Sequence, residues 1–240
     1  MKTYSELIQE LKKIKEKGFV MTHRLGDTGI GKTLEDLLGI EENNFAGPDG
    51  IETELKAARK NTASMLTLFT KSPLPPRINS VLLSDLGYPD KEGSYKKILH
   101  TTIEVGSFNT LRGKTGLKVG IEKDRVVILI SNNGKKSGIP TPYWDKETLK
   151  KSFEKKYPQL LYVKADARGS GVEEEFHFNE AWLMRGFDFD NFLKLLKERT
   201  IKVDIRIGQY PDGRPHDHGT GFRIMPDKLD LCFSNRVRVL

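Results

Sequence analysis

Apolar residues recur at helical spacing in several stretches of the chain and alternate with polar residues in others. In the first stretch Leu7, Leu11 and Ile14 are separated by lysines and glutamates, and Gly18 follows as a C-terminal cap. This pattern predicts an amphipathic helix over residues 4–17. The predicted helices are 4–17, 28–38, 78–86, 147–156 and 188–198.

Extended segments separated by turn residues predict a set of strands. The predicted strands are 51–57, 64–71, 98–105, 117–121, 126–130, 159–165, 173–178 and 201–207. We expect the second of these to pair with the first. In the last strand strict alternation places Lys202, Asp204 and Arg206 on the outward face. Repeated strand–helix alternation is missing from the sequence, so an antiparallel or mixed sheet is expected.

The composition is that of a globular protein with a basic charge balance. The chain has 240 residues, enough for one large domain or two small ones, and a net charge of +7. That charge fits a polyanionic partner such as nucleic acid. No apolar run approaches the ~20 residues that span a bilayer, and the N-terminus lacks a secretory h-region. The single cysteine, Cys232, excludes an internal disulfide and a cysteine-based zinc site. We therefore expect a cytoplasmic protein with no membrane partner.

The densest catalytic pattern surrounds a turn that leads into the first long strand. Pro48 and Gly50 mark the turn around Asp49. On the strand that follows, Glu54 and Lys56 share one face, about 7 Å apart by strand rise. Two carboxylates beside a lysine suit metal-assisted phosphodiester hydrolysis, because Mg²⁺ takes oxygen ligands and activates bound water. The alternative is a solvated charge pair on a strand face.

A glycine-rich stretch allows two interpretations. Residues 26–33 match G-x-x-x-x-G-K-[ST], the phosphate-binding P-loop of NTPases. A P-loop needs a strand before it and an acidic residue at the end of another apolar strand. The apolar segment before the loop, residues 19–21, is too short to be a convincing strand, and the strand at 126–130 ends without an acidic residue. The alternative is the start of the helix 28–38, on which Glu35 would flank the apolar stripe and lie in a cleft beside Asp49.

Arginine, aspartate and histidine side chains are concentrated near the C-terminal end, within 202–206 and 214–224. Arginine can bond guanine O6 and N7 bidentately, and an acid can accept from cytosine N4, so these residues suit base readout in a major groove. The alternatives are a zinc half-site at His216 and His218, and a surface ion pair between Asp204 and Arg206.

Taken together, separate segments resemble one family, the MvaI/BcnI-type restriction endonucleases related to the MutH nicking enzyme. The matching segments, in order, are 28–44, 48–56, 67–73, 202–208 and 216–224. The family shares the glycine-rich helix start and is not known to bind nucleotides, so the resemblance favours the helix interpretation.

The resemblance implies an α/β (α+β) PD-(D/E)xK nuclease core, with a mixed sheet flanked by helices in a MutH-like two-lobed clamp. Residues 1–110 with parts of 160–200 would form the catalytic lobe, and 111–160 with 200–240 the DNA-recognition lobe. Asp49 and Glu54 would ligate Mg²⁺, Lys56 would serve the attacking water, and Glu35 would complete the acidic cluster. Mn²⁺ would substitute for Mg²⁺, and Ca²⁺ would support binding without cleavage.

The resemblance also implies a double-stranded DNA substrate with a CCNGG-type site. The expected DNA-binding residues are Thr70, Lys71, Asp204, Arg206, His216, Asp217, His218 and Arg223. The enzyme would act as a monomer that cuts the two strands in successive events, alongside a separate cognate DNA methyltransferase. Thr70 and the run 216–220 match the MvaI-type pattern, which favours CCWGG over CCSGG. MvaI-type chains carry Ala where this chain has Gly221.

Three competing functions stay open at this level. One is a MutH-like endonuclease that nicks a single strand. Another is a DNA-binding protein that has lost cleavage, against which the intact set of Asp49, Glu54 and Lys56 argues. The third is a P-loop NTPase that uses residues 26–33.

Overall fold

The computed structural model describes residues 3–40, 53–111, 116–132, 135–136, 138–157, 159–217 and 219–240. The helices are α1 (Tyr4–Glu16), α2 (Gly29–Leu37), α3 (Ile78–Leu86), α4 (Lys146–Glu154) and α5 (Phe189–Lys197). The strands are β1 (Val20–Met21), β2 (Glu54–Arg59), β3 (Leu66–Thr70), β4 (Tyr88–Pro89), β5 (Lys97–Ile103), β6 (Gly116–Ile121), β7 (Arg125–Asn132), β8 (Lys135–Lys136), β9 (Tyr143–Asp145), β10 (Leu160–Arg168), β11 (Glu175–Arg185), β12 (Ile201–Gln209), β13 (Pro215–Asp217), β14 (Gly221–Ile224) and β15 (Asn235–Arg238). Short 3-10 helices lie at Gly171–Glu173 and Pro226–Cys232.

The chain divides into two compact units. Unit 1 consists of Met1–Leu66, Phe153–Asn191 and Met225–Leu240, and unit 2 consists of Thr67–Ser152 and Phe192–Ile224. Each unit is therefore built from segments that are distant in sequence. Within the described residues, no helix combines the length and apolar character needed to cross a membrane.

Unit 1 is organised around a mixed sheet with the strand order β1-β11-β10-β2, in which β15 also pairs with β11. The β10–β2 pair is parallel and the others are antiparallel. Helices α1 and α2 cover one face of this sheet and bury Leu7, Leu11 and Leu34 against Leu161 and Phe176. The other face carries Glu54 at the start of β2, in one register row with the buried Leu160 and Met184.

The first helix begins where the sequence provides a capping box. The Thr3 hydroxyl accepts a hydrogen bond from the Glu6 backbone N–H at 3.3 Å, and the Glu6 carboxylate accepts from the Thr3 N–H at 2.7 Å. These bonds satisfy N–H groups that a helix start otherwise leaves without partners. The apolar stripe of α1 is thereby fixed over the sheet.

Unit 2 contains a sheet of order β3-β14-β12-β5-β4, to which β13 adds beside β12, and a second sheet of order β6-β7-β8 with β9 paired to β7. Aromatic side chains fill its core around Phe222. Phe69 stacks on Phe222 with ring centroids 4.8 Å apart, and Phe192 and Trp144 meet it edge-on at 5.3 Å. This packing holds β3 and β14 side by side.

The predicted helices are confirmed to within a few residues, and so is a fold that combines helices with a mixed sheet. The predicted pairing of the strand at 64–71 with the strand at 51–57 is wrong. In the structure β2 pairs in parallel with β10, whereas β3 lies beside β14 in the sheet of unit 2. Glu54 and Leu55 of β2 are both buried, as are Leu160–Val163 of β10. Burial on both faces suits the centre of a parallel pair better than a local hairpin.

Candidate functional site

Among the described residues of unit 1, Glu54 is the buried charged residue. Its side chain is 4% exposed at the start of β2, because Leu55 turns into the core and Glu54 takes the opposite face. Lys56 Nζ lies 2.9 Å from Oε1, and Lys156 Nζ lies 3.3 Å from Oε2. The pair is therefore not the solvated charge pair that the sequence left open. Burying an unpaired carboxylate is costly, and here each oxygen of Glu54 has an ammonium group as its partner.

Two residues beside this centre were not predicted from the sequence. Lys156 follows α4, in a stretch that reads only as a lysine-rich helix end. Tyr162 lies directly opposite Lys56 in the parallel ladder, and its hydroxyl is buried without a hydrogen-bond partner within the described residues. Burial, and next the charge of Glu180, raises the pKa of Tyr162 to about 12. The phenol is therefore neutral at physiological pH.

The structure gives less information on the other two predicted metal-site residues. Asp49 lies outside the described residues, and Glu35 is a half-buried residue of α2. Among the described residues, no three His, Cys, Asp or Glu side chains gather as a metal site. The donor type of Glu54 nonetheless fits a hard divalent cation, which takes carboxylate oxygens as ligands. Each of these oxygens is bonded to a lysine ammonium group, so a cation would have to displace at least one of the two lysines.

The glycine-rich stretch is occupied by structural hydrogen bonds. The Thr33 hydroxyl donates to Gly29 O at 2.8 Å and accepts from the His23 N–H at 2.9 Å. Lys32 Nζ pairs with Asp36 at 2.8 Å. The preceding strand β1 has two residues and runs antiparallel to β11. A P-loop would need this threonine and lysine for metal and phosphate, so the geometry opposes the NTPase interpretation and supports a helix start.

In unit 2, Asp204 is the centre of a charged cluster. The prediction that it faces outward into solvent is wrong, since the residue is 1% exposed. Its Oδ1 accepts from the Thr102 hydroxyl at 2.8 Å, and its Oδ2 accepts from Arg206 Nε at 2.8 Å and Arg223 Nη1 at 2.7 Å. Burial opposes ionisation, but these hydrogen bonds hold the pKa of Asp204 below its ordinary value. The carboxylate therefore stays charged and orients both arginines.

The segment around β13 is held by a second carboxylate. Asp217 accepts from Asn79 Nδ2 at 2.6 Å, from the Ser72 hydroxyl at 3.2 Å and from the Gly219 N–H at 2.8 Å. The His216 ring packs 4.5 Å from the ring of Tyr210. His218 lies outside the described residues. Nothing in the described residues supports a zinc half-site here.

The end of β3 lies beside the start of β14. The Lys71 N–H donates to Thr220 O at 3.0 Å, and Lys71 O accepts from the Trp144 indole at 2.8 Å. A Cβ placed on Gly219 would lie 3.1 Å from Thr70 Cβ. The structure thus brings Thr70 and Lys71 together with residues 219–221, and Asp204 together with Arg206 and Arg223.

Comparisons with known proteins agree with this architecture. The family model of the MvaI/BcnI restriction endonuclease family matches residues 8–233. The solved complex of restriction endonuclease MvaI with a cognate DNA substrate is 30% identical over 100% of both chains, with a TM-score of 0.89. MvaI solved in the absence of DNA is 30% identical over 100% of this chain and 99% of that chain, with a TM-score of 0.60. Comparison with curated protein sequences gave no match. This chain belongs to the MvaI/BcnI restriction endonuclease family.

Proposed function

We propose that the chain is a type II restriction endonuclease that cleaves both strands of duplex DNA at a CCNGG-type site, with CCWGG favoured and Mg²⁺ as cofactor. The observation that carries the proposal is the buried Glu54–Lys56 pair on β2, in a chain of this endonuclease family. A buried carboxylate and a lysine on one strand face form the second half of a PD-(D/E)xK motif. Mn²⁺ would replace Mg²⁺, and Ca²⁺ would support binding alone.

The catalytic roles follow from the surroundings of Glu54. Asp49 and Glu54 would hold the cation, which when bound polarises the phosphoryl oxygen and lowers the pKa of a bound water. The Lys56 ammonium, 2.9 Å from Glu54, would orient the attacking water and offset charge that develops on the phosphate. Glu35 would complete the acidic cluster. Lys156 would hold the second oxygen of Glu54 and keep the carboxylate in a fixed orientation.

Base recognition is assigned to unit 2. Arg206 and Arg223 would read guanines, because their guanidinium forks are pre-oriented by one carboxylate. Asp204 would position these arginines rather than contact a base, since it is 1% exposed and both of its oxygens accept hydrogen bonds from its neighbours.

The remaining contacts are assigned to the surface formed by β3, β13 and β14. The residues proposed to contact DNA there are Thr70, Lys71, His216, Asp217 and His218. Thr70 lies beside residues 219–221, and we assign contact with the central base pair to these residues. The match of these residues to the MvaI-type pattern supports CCWGG over CCSGG.

We assign the catalytic lobe to unit 1, which contains Glu54, and the recognition lobe to unit 2, which contains Asp204. Relative to the lobes expected from sequence, this assignment puts residues 67–110 in the recognition lobe and residues 153–159 and 225–240 in the catalytic lobe. The enzyme would be a MutH-like monomer with one active site, so the two strands would be cut in successive nicks. A separate methyltransferase would protect the same site.

The test is digestion of supercoiled plasmid with Mg²⁺, followed by sequencing of the product ends. Linear fragments that end within CCWGG sites, preceded by a nicked intermediate, would support every part of the proposal. Glu54→Gln should abolish cutting but retain specific binding in Ca²⁺, and so should Asp49→Ala. Exposed Glu147→Gln is the matched control and should cut as the wild type does. Nicks that never become breaks would indicate a strand-nicking enzyme, and undiminished cutting by Glu54→Gln would refute the catalytic assignment.

A further inference from the structure

The face of the unit 1 sheet that carries Glu54 continues as an ordered row of side chains across four strands. Lys56 on β2 lies opposite Tyr162 on β10, Tyr162 opposite Trp182 on β11, and Trp182 opposite Arg238 on β15. Residues directly opposite in a ladder point to the same face, so these four side chains form one aromatic–basic row. By strand spacing the row is about 14 Å long.

The outer end of the row carries two arginines on one indole ring. Arg236 lies opposite Met184 on β11, Met184 lies opposite Leu160 on β10, and Leu160 lies opposite Glu54 on β2. The Arg236 guanidinium stands 4.1 Å from the centroid of the Trp182 ring. The guanidinium of Arg238 is 5.9 Å from the same ring. The indole N–H donates to Glu180 at 2.7 Å, which fixes the ring. Two permanently charged forks are therefore held in place at the edge of the sheet.

The present partners of these arginines are easily replaced. Arg236 pairs with Asp230, whose side chain is 58% exposed, and Arg238 donates from Nε to a backbone carbonyl, Leu240 O. Strand β15 is exposed along its length. Exposed ion pairs are worth little, so a phosphate that binds bidentately can displace the carboxylate at small cost.

We infer that the outer end of this row, formed by Trp182, Arg236 and Arg238, is a contact surface for the sugar–phosphate backbone of the DNA that occupies the active site. Tyr162 is 3% exposed and takes no part in the contact. The inference rests on the proposed function, because it takes the duplex at Glu54 to continue along the same face. Charge complementarity, and the position of Arg236 and Arg238 on the sheet face that carries Glu54, support this occupant. Phosphates follow one another every 3.4 Å of axis along one strand, so Arg238 would meet a phosphate about four nucleotides from the scissile one if the row follows the duplex axis.

The contact should be independent of sequence, and its salt dependence tests it. The variants are Arg236→Gln, Arg238→Gln and their combination, with affinity measured by fluorescence anisotropy in Ca²⁺ between 50 and 200 mM salt. Each lost phosphate contact should lower the slope of log K against log salt by about 0.9. The loss should be equal on a CCWGG duplex and on an unrelated duplex. Trp182→Leu should weaken binding to both duplexes as well, because the guanidinium groups lose their platform.

Arg168→Gln is the matched control. Its guanidinium also stands 4.1 Å over an aromatic ring, that of Phe19, and also pairs with a carboxylate, Glu175. It lies six residues beyond Tyr162 along β10, roughly 20 Å by strand rise. Its salt slope should equal that of the wild type.

Three outcomes would overturn the inference. The first is a salt slope in the double variant equal to that of Arg168→Gln. The second is a loss confined to the CCWGG duplex, which would mark base readout. The third is a change in sedimentation without a change in DNA affinity, which would mark the row as a contact between copies of the chain. A wild-type chain that cuts no DNA, but whose slope falls in the double variant, would instead refute only the proposed function.

Discussion

Replacing Asp204 with asparagine tests the proposed recognition cluster of unit 2 most directly. The carboxylate is 1% exposed and accepts hydrogen bonds from Thr102, Arg206 and Arg223 at 2.7 to 2.8 Å. Asparagine keeps the shape but removes the charge, and one of its two polar atoms becomes a donor. Both arginines then lose the anion that orients them.

The expected loss of stability can be worked from the exposure of each partner. The Arg223 side chain is 22% exposed, so its charge-assisted hydrogen bond should contribute about 1.5–3 kcal/mol. The Arg206 side chain is 45% exposed, and solvent screening reduces its share to under ~1 kcal/mol. The Thr102 hydroxyl can donate to the amide oxygen or accept from the amide nitrogen, so its hydrogen bond is kept in the variant. Together the two arginine contributions predict that Asp204→Asn lowers the free energy of unfolding by about 2–3 kcal/mol.

Urea denaturation monitored by circular dichroism measures this loss, and duplex binding in Ca²⁺ measures its functional consequence. We expect affinity for a CCWGG duplex to fall by at least tenfold, and affinity for an unrelated duplex to change little, since oriented arginines matter for base readout. Asp212→Asn is the control, because Asp212 bonds Arg214 at 2.6 Å but is 50% exposed. A stability loss below 1 kcal/mol, or an equal affinity loss on both duplexes, would refute the reasoning.

The same cluster predicts a pH dependence with a defined sign. The pKa of Asp204 is lower in the folded chain than its ordinary value of 3.8, so the folded state binds its proton less tightly than the unfolded state does. Its contribution to stability is complete above about pH 4 and is lost as pH falls through the folded pKa. The gap between the wild type and Asp204→Asn should therefore close in acid. A gap of constant size down to pH 2 would contradict the assignment.

Further predictions concern single sites. Tyr162→Phe removes a buried hydroxyl that has no hydrogen-bond partner within the described residues, so stability at pH 7 should be unchanged or rise by up to about 2 kcal/mol in urea denaturation. Because the pKa of Tyr162 is raised to about 12, the wild type should also lose stability between pH 10 and 12, a loss that the phenylalanine variant should not show. Gly219→Ala should cost about 1–2 kcal/mol because φ is +82°, whereas Gly221→Ala meets ordinary contacts from 3.5 Å and should change the melting temperature little; equal shifts would argue against the backbone strain. Glu174→Gln weakens a bidentate pair with Arg59 at 2.6 and 2.7 Å, so it should cost about 1.5–3 kcal/mol by denaturation, and a cost near zero would show that solvent already screens the pair.

Local periodicity predicted the helices well because their cause is local. In α1 the apolar spacing and the capping residue Thr3 act within a few positions of each other. The alternation in β12 likewise predicted a strand and the common face of Asp204 and Arg206. Alternation assigns a face but not its exposure. Asp204 is buried because Thr102 on β5 and Arg223 on β14 pack against it from neighbouring strands, and their positions are set by the fold.

Strand pairing and the complete site were beyond the reach of local patterns. The partner of β2 is β10, which places Glu54 opposite Leu160 across a long stretch of chain. Proximity in sequence instead favoured β3, which packs in the other unit. For the same reason Glu54 and Lys56 could be predicted from one strand, but Lys156 and Tyr162 could not. Each of those two residues reaches the site from a segment whose own sequence carries no catalytic signal.

The glycine-rich stretch shows why a short motif left two functions open. A Cβ on Gly29 would lie 2.2 Å from Arg24 O, so glycine is required where the loop packs against the helix start. A phosphate-binding loop requires glycine for a different close approach, that of backbone to ligand. The same letters therefore satisfy two different backbone requirements. The hydrogen bonds of the polar side chains distinguish a helix start from a phosphate-binding loop. In this chain the Thr33 hydroxyl is fully buried and is both donor and acceptor, and Lys32 is paired with Asp36. The motif specifies the start of α2, which leaves the sheet at Glu54 as the proposed place of the chemistry.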